Sequence, residues 1–252
     1  MNVRSAFGTF GCIIASTASG DLSPRDFLAS FMPDAAFSYP TNELPGLVRS
    51  IVVRDQYCAK EFIKDGSIVI DAGANVGVFA RFAARLAKGA GRIYAFEPVP
   101  ETFRRLTAET KGHATIALFQ KGLGSEITEK KMHYSYSSLG TSTVEDSPFT
   151  INDGERTERA EIQITTIDEF VKSHSLPRVD FIKIDTEGYE KKVLEGARET
   201  IKKYKPVISA SAYHLEGDDE RFKQLILGIC PDYAFRIETR SERDLVAFPR
   251  KI

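Results

Sequence analysis

From Ser67 onward, short apolar runs and helical spacings take turns along the chain, and that rhythm restricts the fold more than any other feature. Residues 67–71 (SIVID) read as a first strand ending in an acid. Residues 77–88 follow with Val78, Phe82 and Leu86 at helical spacing. Gly89 and Gly91 stop that helix. Residues 92–97 (RIYAFE) are a second strand, Pro100 suits the first turn of a helix running to about Lys111, and residues 116–120 (IALFQ) are a third strand. Residues 181–185 (FIKID) are a fourth strand, 190–204 a helix, 207–213 a fifth strand and 219–227 a further helix. Two final strands, 233–237 and 245–248, are joined by a charged connection too short for a helical crossover, so they should be antiparallel. The alternation predicts an α/β fold: a mostly parallel sheet with helices on both faces and an antiparallel C-terminal edge.

The remaining chain sets bounds on this core. At 252 residues it is long enough for one sizeable core. Residues 1–60 carry no strong period beyond helical stretches near 23–31 and 49–63. They read as an N-terminal helical extension packed on a sheet domain of residues 61–252. Residues 135–159, rich in Ser, Thr, Asp and Glu, read as a long surface excursion, either a solvated loop or one that covers substrate. Thr166 and Glu169 have capping-box spacing and open a short helix.

Composition removes several function classes. A net charge of −1 provides no general field for nucleic acid. No 18-residue apolar run is present to span a membrane. The weakly apolar stretch 6–15 has Arg4 as its only early cation and is interrupted by glycine, which makes a poor secretory signal. Cys12, Cys58 and Cys230 form no pair and no zinc spacing, as expected of reduced thiols in a cytoplasmic protein.

Two motifs carry chemistry. Residues 71–77 (DAGANVG) sit where the first strand turns into its helix, the end of a parallel sheet at which ligands bind. A dinucleotide loop needs G-x-G-x-x-G, but Asn75 and Val78 occupy the second and third glycine places, and no phosphate loop is present. Glu97, ending the second strand, can accept both hydroxyls of a ribose. Asp71, Gly73, Asn75, Gly77 and Glu97 together describe a slot for a nucleoside without a phosphate chain, and S-adenosyl-L-methionine meets that description. The plainer reading has Asp71 as a helix cap and Glu97 as a surface acid.

The second motif is residues 181–190 (FIKIDTEGYE). Strand alternation puts Lys183 and Asp185 on one face. A lysine in a central strand must reach an acid or the ligand, so Lys183 is either a buried ion-pair partner or a catalytic group. Asp185 and Glu187 fall at the same sheet edge as Asp71 and Glu97. His214, after the fifth strand, falls there too and can accept a proton near neutral pH, unless it is simply a surface histidine.

Residues 69–77 (VIDAGANVG), 95–98 (AFEP), 181–188 (FIKIDTEG) and 193–197 (VLEGA) together resemble the FkbM family of S-adenosylmethionine-dependent methyltransferases. The resemblance spans roughly residues 60–215. It implies a seven-stranded Rossmann-like methyltransferase sheet with a reversed last strand, and methyl transfer to a hydroxyl oxygen of a sugar or natural product. On that basis His214 is the first choice for the base and Asp185 the second, with Lys183 beside them. Lys121, Gly122 and Leu123 would lie near adenine, with Glu97 at the ribose. A magnesium ion on Asp185 and Glu187 is a less favoured alternative, because the sequence identifies no third ligand. Two rival functions are a nicotinamide-dependent oxidoreductase on a related sheet and a cofactor-binding domain without catalysis.

Overall fold

A computed structural model describes residues 44–135, 142–144 and 157–250. The main sheet has seven strands. β1 (Ile68–Ala72), β2 (Arg92–Phe96) and β3 (Ile116–Phe119) run parallel on one side, and β8 (Phe181–Ile184) and β9 (Val207–Ser211) on the other. β10 (Tyr233–Glu238) and β11 (Asp244–Pro249) complete it in the order β10-β11-β9-β8-β1-β2-β3. β11 is antiparallel to both of its neighbours, and toward β10 the short connection requires this. Every residue of β1, β8 and β9 is buried, which explains why their sequences are predominantly apolar rather than alternating.

One apolar cluster covers each face of the sheet. Phe96, Phe170, Leu194 and Phe222 belong to one. On the other, the helix Val78–Ala87 lays Phe79, Ala80 and Ala83 against Val69, Phe181 and Val246. Val48, Tyr57 and Ile63 of the N-terminal segment join this second cluster. Among the described residues no helix is long and apolar enough to cross a membrane.

Three expectations change. The helix expected over 49–63 is two pieces: Leu44–Val48 continued by a π-helical turn, Arg49–Val53, and then Ala59–Phe62. Left-handed backbone at Asp55 and Cys58 separates them. The companion helix at 23–31 lies outside the described residues. The helix expected over 190–204 breaks at Gly196 into Glu190–Glu195 and Arg198–Tyr204. A side chain at Gly196 would collide with the Gly124 carbonyl, and the Asp168 carboxylate caps the second piece by accepting from the Glu199 and Thr200 amides at 2.9 and 2.8 Å. Thr166 caps its own helix, Ile167–Ser173, by accepting from the Glu169 amide at 3.0 Å, as its spacing indicates.

The third change concerns residues 135–159. They are not simply an excursion but part of a second, four-stranded sheet. β5 (Thr128–Ser135) pairs with β7 (Thr157–Thr165) along its whole length, β6 (Ser142–Val144) pairs with β5, and β4 (Gly122–Leu123) pairs with β7. Met132 and Tyr134 are buried on β5, as are Ile162 and Ile164 on β7, while Lys131 and Glu161 are exposed, a period of two. Residues 136–141 and 145–156 lie outside the described residues.

Candidate active site

A cavity of about 300 Å³ opens at the carboxyl ends of β1, β2 and β8, the edge where a parallel sheet binds ligands. Gly73, Asn75, Glu97, Lys121, Gly122, Leu123, Lys183, Asp185 and Glu187 line it together, although they come from four separate stretches of sequence.

The loop after β1 is held from beneath. Lys183 and Asp71 are register partners on adjacent strands, and Lys183 Nζ lies 3.2 Å from Asp71 Oδ1. The ammonium also donates to the carbonyls of Ala72 (3.2 Å) and Gly73 (2.5 Å), and it faces the rings of Tyr57 and Phe79. Both side chains are buried. Burial alone would lower the lysine's pKa, but Asp71 and Asp185 outweigh it and hold the ammonium above its usual value. Burial raises Asp71 despite Lys183. Asp71 is therefore sealed below the cavity, and Lys183 is its ion-pair partner and the anchor of the loop.

The glycines serve the protein's own packing. Gly73 has φ +77°, and a Cβ there would lie 1.8 Å from the Asp185 carbonyl oxygen. Only a bare backbone lets this loop cross the end of β8. At Gly77 a Cβ would meet Leu106, not the cavity. Asn75 adopts left-handed backbone, and its amide donates to Glu97 Oε2 at 3.0 Å. Glu97 Oε1 accepts from the Val99 amide at 3.0 Å. Burial pushes Glu97 up to about 7 despite these two donors. Each oxygen retains capacity for another donor, so the carboxylate can still receive a diol.

Two walls differ in character. Val99, Met132, Tyr134, Val144, Ile162, Ile164 and Tyr189 form one apolar cluster and line the cavity on the Glu97 side. Near Asp185 the lining is polar: Gln56, Tyr57, Tyr213 and Glu242, with Gln56 Nε2 donating to Glu242 at 3.2 Å. Tyr57 donates to Asp185 Oδ2 at 2.6 Å. Asp185 is pulled up by burial, but Lys183, His214 and the Tyr57 hydroxyl bring it below the ordinary carboxylate value. Neither wall was foreseen. The alternation in β5 and β7 could have revealed the apolar one. Tyr57 and Glu242 had no local signal.

His214 is not a strand-end surface residue. Its side chain is 2% exposed, with Nδ1 3.1 Å from Glu190 Oε1 and Nε2 3.3 Å from Glu187 Oε2 and 3.9 Å from Asp185 Oδ1. Burial opposes its charge, but Glu187 and Glu190 push it up to about 11. A histidine held as imidazolium does not accept a proton at neutral pH, so the base role expected of it does not fit this placement. Burial pushes Glu187 up to about 7 against the pull of His214.

The family model described as the methyltransferase FkbM domain matches residues 71–237. Among characterised proteins, the chain is 31% identical over 140 residues to the hexuronic acid methyltransferase AglP of Haloferax volcanii, covering 54% of this chain and 52% of that protein. It is 28% identical over 147 residues to methyltransferase 1 of Beauveria bassiana, covering 52% and 59%. These matches thus span little more than half the length of either relative. The crystal structure of a methyltransferase FkbM from Methylobacillus flagellatus KT superposes with a TM-score of 0.53 over 88% of this chain and 57% of that one. Sequence identity is 20%, and the likeness is one of fold.

Proposed function

Because the chain belongs to the FkbM methyltransferase family, we propose that it moves a methyl group from S-adenosylmethionine to a hydroxyl oxygen of a saccharide or similar polyhydroxylated acceptor. One observation carries this reading: a single cavity pairs a buried, diol-competent Glu97 and an apolar wall with a polar, carboxylate-lined wall at Asp185 and Glu187. The sulfonium of S-adenosylmethionine supplies a methyl group already activated for in-line transfer.

The protein's own groups do the rest. Glu97 receives the ribose hydroxyls, and Val99, Leu123 and Ile164 exclude water around the adenine. Lys121 and Gly122 border that end. Asp185 and Glu187 face the polar half, where they hold the acceptor hydroxyl and draw off its proton, a contribution of about 10²–10⁴-fold. Gln56, Tyr57 and Glu242 offer donors and acceptors to the other hydroxyls. The name of the relative from Haloferax volcanii, a hexuronic acid methyltransferase, supports a sugar-type acceptor.

Calorimetric titration tests the reading. S-adenosylmethionine should bind, and Glu97→Ala should weaken it roughly 10- to 100-fold for the charged hydrogen bonds lost. Unchanged affinity in that variant would remove the ribose assignment. Binding of a nicotinamide dinucleotide in its place would restore the oxidoreductase alternative. Binding without transfer to any acceptor in a broad saccharide and natural-product screen would favour a non-catalytic domain.

A further inference from the structure

We infer that Asp185, Glu187 and His214 form a binding site for a divalent first-row transition metal ion such as Mn²⁺, set in the acceptor half of the cavity. One ligand atom from each residue lies within 4.8 Å of the other two. His214 Nε2 is 3.3 Å from Glu187 Oε2 and 3.9 Å from Asp185 Oδ1. Ligands about 2.1 Å from a common ion stand roughly 3–4 Å apart across the angles of tetrahedral or octahedral coordination, and both separations from His214 Nε2 fall in that range.

Two further observations point to a cation. The first is the other face of the imidazole. His214 Nδ1 is held at 3.1 Å by Glu190 Oε1, and Glu190 Oε1 also accepts from the amides of Thr186 (2.7 Å) and Gly188 (3.2 Å). A carboxylate fixed by the backbone thus orients the ring and directs Nε2 at Asp185 and Glu187. Metal-bound histidines are supported in this way. The second is Asp185 Oδ1. It is buried and has no donor in hydrogen-bond geometry among the described residues, whereas Oδ2 is satisfied by Tyr57. That oxygen faces His214 Nε2 at 3.9 Å, too far for a direct hydrogen bond, so an ion seated between them would serve both.

The donor set indicates the kind of ion. Magnesium favours oxygen ligands alone, while an imidazole with two carboxylates suits manganese, iron or cobalt. A cation entering the site displaces the proton from Nε2. Asp185 and Glu187 line the cavity and His214 lies behind them, so the open coordination positions face the acceptor. There the ion would polarise the acceptor hydroxyl. That last role rests on the proposed methyl transfer, whereas the ion site itself does not.

The test is a titration of the chelator-stripped full chain with Mn²⁺, followed by the paramagnetic resonance of the free ion. S-adenosylmethionine affinity is measured in parallel by calorimetry. One saturable ion per chain is expected. Glu187→Gln and His214→Gln should each weaken it by more than about 10-fold, and Glu190→Gln by about 10- to 100-fold through the ring it orients. Far-UV circular dichroism would establish that each variant is folded. No saturable binding to the parent chain, or parent-like affinity in a folded Glu187→Gln or His214→Gln variant, overturns the metal site. Mn²⁺ binding with the expected losses, but no binding of S-adenosylmethionine, upholds the metal site and strikes the cofactor reading instead.

Discussion

Lys183 Nζ stands 3.2 Å from Asp71 Oδ1 across two central strands, and its remaining donors hold the carbonyls of Ala72 and Gly73. The pair is therefore a strut between the sheet and the loop that floors the cavity. Removing one partner strands the other charge in the core. Lys183→Met should destabilise the fold by about 3–5 kcal/mol, and Asp71→Asn in the same background should recover part of that loss. Chemical denaturation of the single and double variants would check this. Equal losses in both would mean that the loop carbonyls, not the aspartate, account for the lysine.

Gly73 and Gly112 both have left-handed backbone, at φ +77° and +88°, but they differ in their surroundings. A Cβ at Gly112 meets nothing within 4 Å, whereas one at Gly73 would lie 1.8 Å from the Asp185 carbonyl. Gly112→Ala should cost only the conformational penalty, about 1–2 kcal/mol. Gly73→Ala adds a backbone collision and should cost more, with β8 and the loop forced apart. Thermal melts would rank the two. A smaller loss at Gly73 would mean that the loop end can move away from β8.

The parts legible in sequence were those with local causes. β1, β8 and β9 are buried on both faces, so they appear as mostly apolar runs without alternation, and the short link between β10 and β11 dictated their direction. Asp185 and Glu97 could be placed because each follows a strand end. The second sheet was obscured because its alternation runs through Lys130, Lys131, Glu158 and Glu161 and next to a stretch of serine and threonine. The surroundings of His214 were hidden for a different reason. Its character is set by Glu187 and Glu190 across a gap in sequence, and an isolated histidine carries no sign of that company.

Glu97 provides a pH signature. Burial raises it from 4.5 to about 7. Below 4.5 the folded and unfolded chains both hold this proton, and its contribution to stability is fully present. As pH rises through about 7 that contribution, on the order of 3 kcal/mol, is lost. Cofactor binding should move the opposite way, because a carboxylate accepts both ribose hydroxyls and a carboxylic acid does not. Affinity for S-adenosylmethionine should tighten between pH 6 and pH 8, roughly one unit either side of that value. Calorimetry across this range would show the trend, and Glu97→Gln should flatten it. A slope that survives in the variant would assign the proton to another group.

Tyr57 separates positioning of the acceptor wall from binding of the cofactor. Its hydroxyl donates to Asp185 Oδ2 at 2.6 Å, while its ring packs edge-on against Phe79 with centroids 5.4 Å apart. Tyr57→Phe keeps the ring and removes one hydrogen bond to a charged carboxylate, a loss of about 1.5–3 kcal/mol. The melting temperature should fall by several degrees, at about 2–4 °C for each kcal/mol in a chain of this size. Asp185 would lose a donor that favours its ionised form, so its pKa should rise. Turnover should fall while affinity for S-adenosylmethionine stays within about 2-fold, because the hydroxyl is hydrogen-bonded to Asp185 and Glu97 lies on the other wall. Paired calorimetric and kinetic measurements on this variant would check the split, and an equal loss in both would place the cofactor's reactive end against Tyr57 itself.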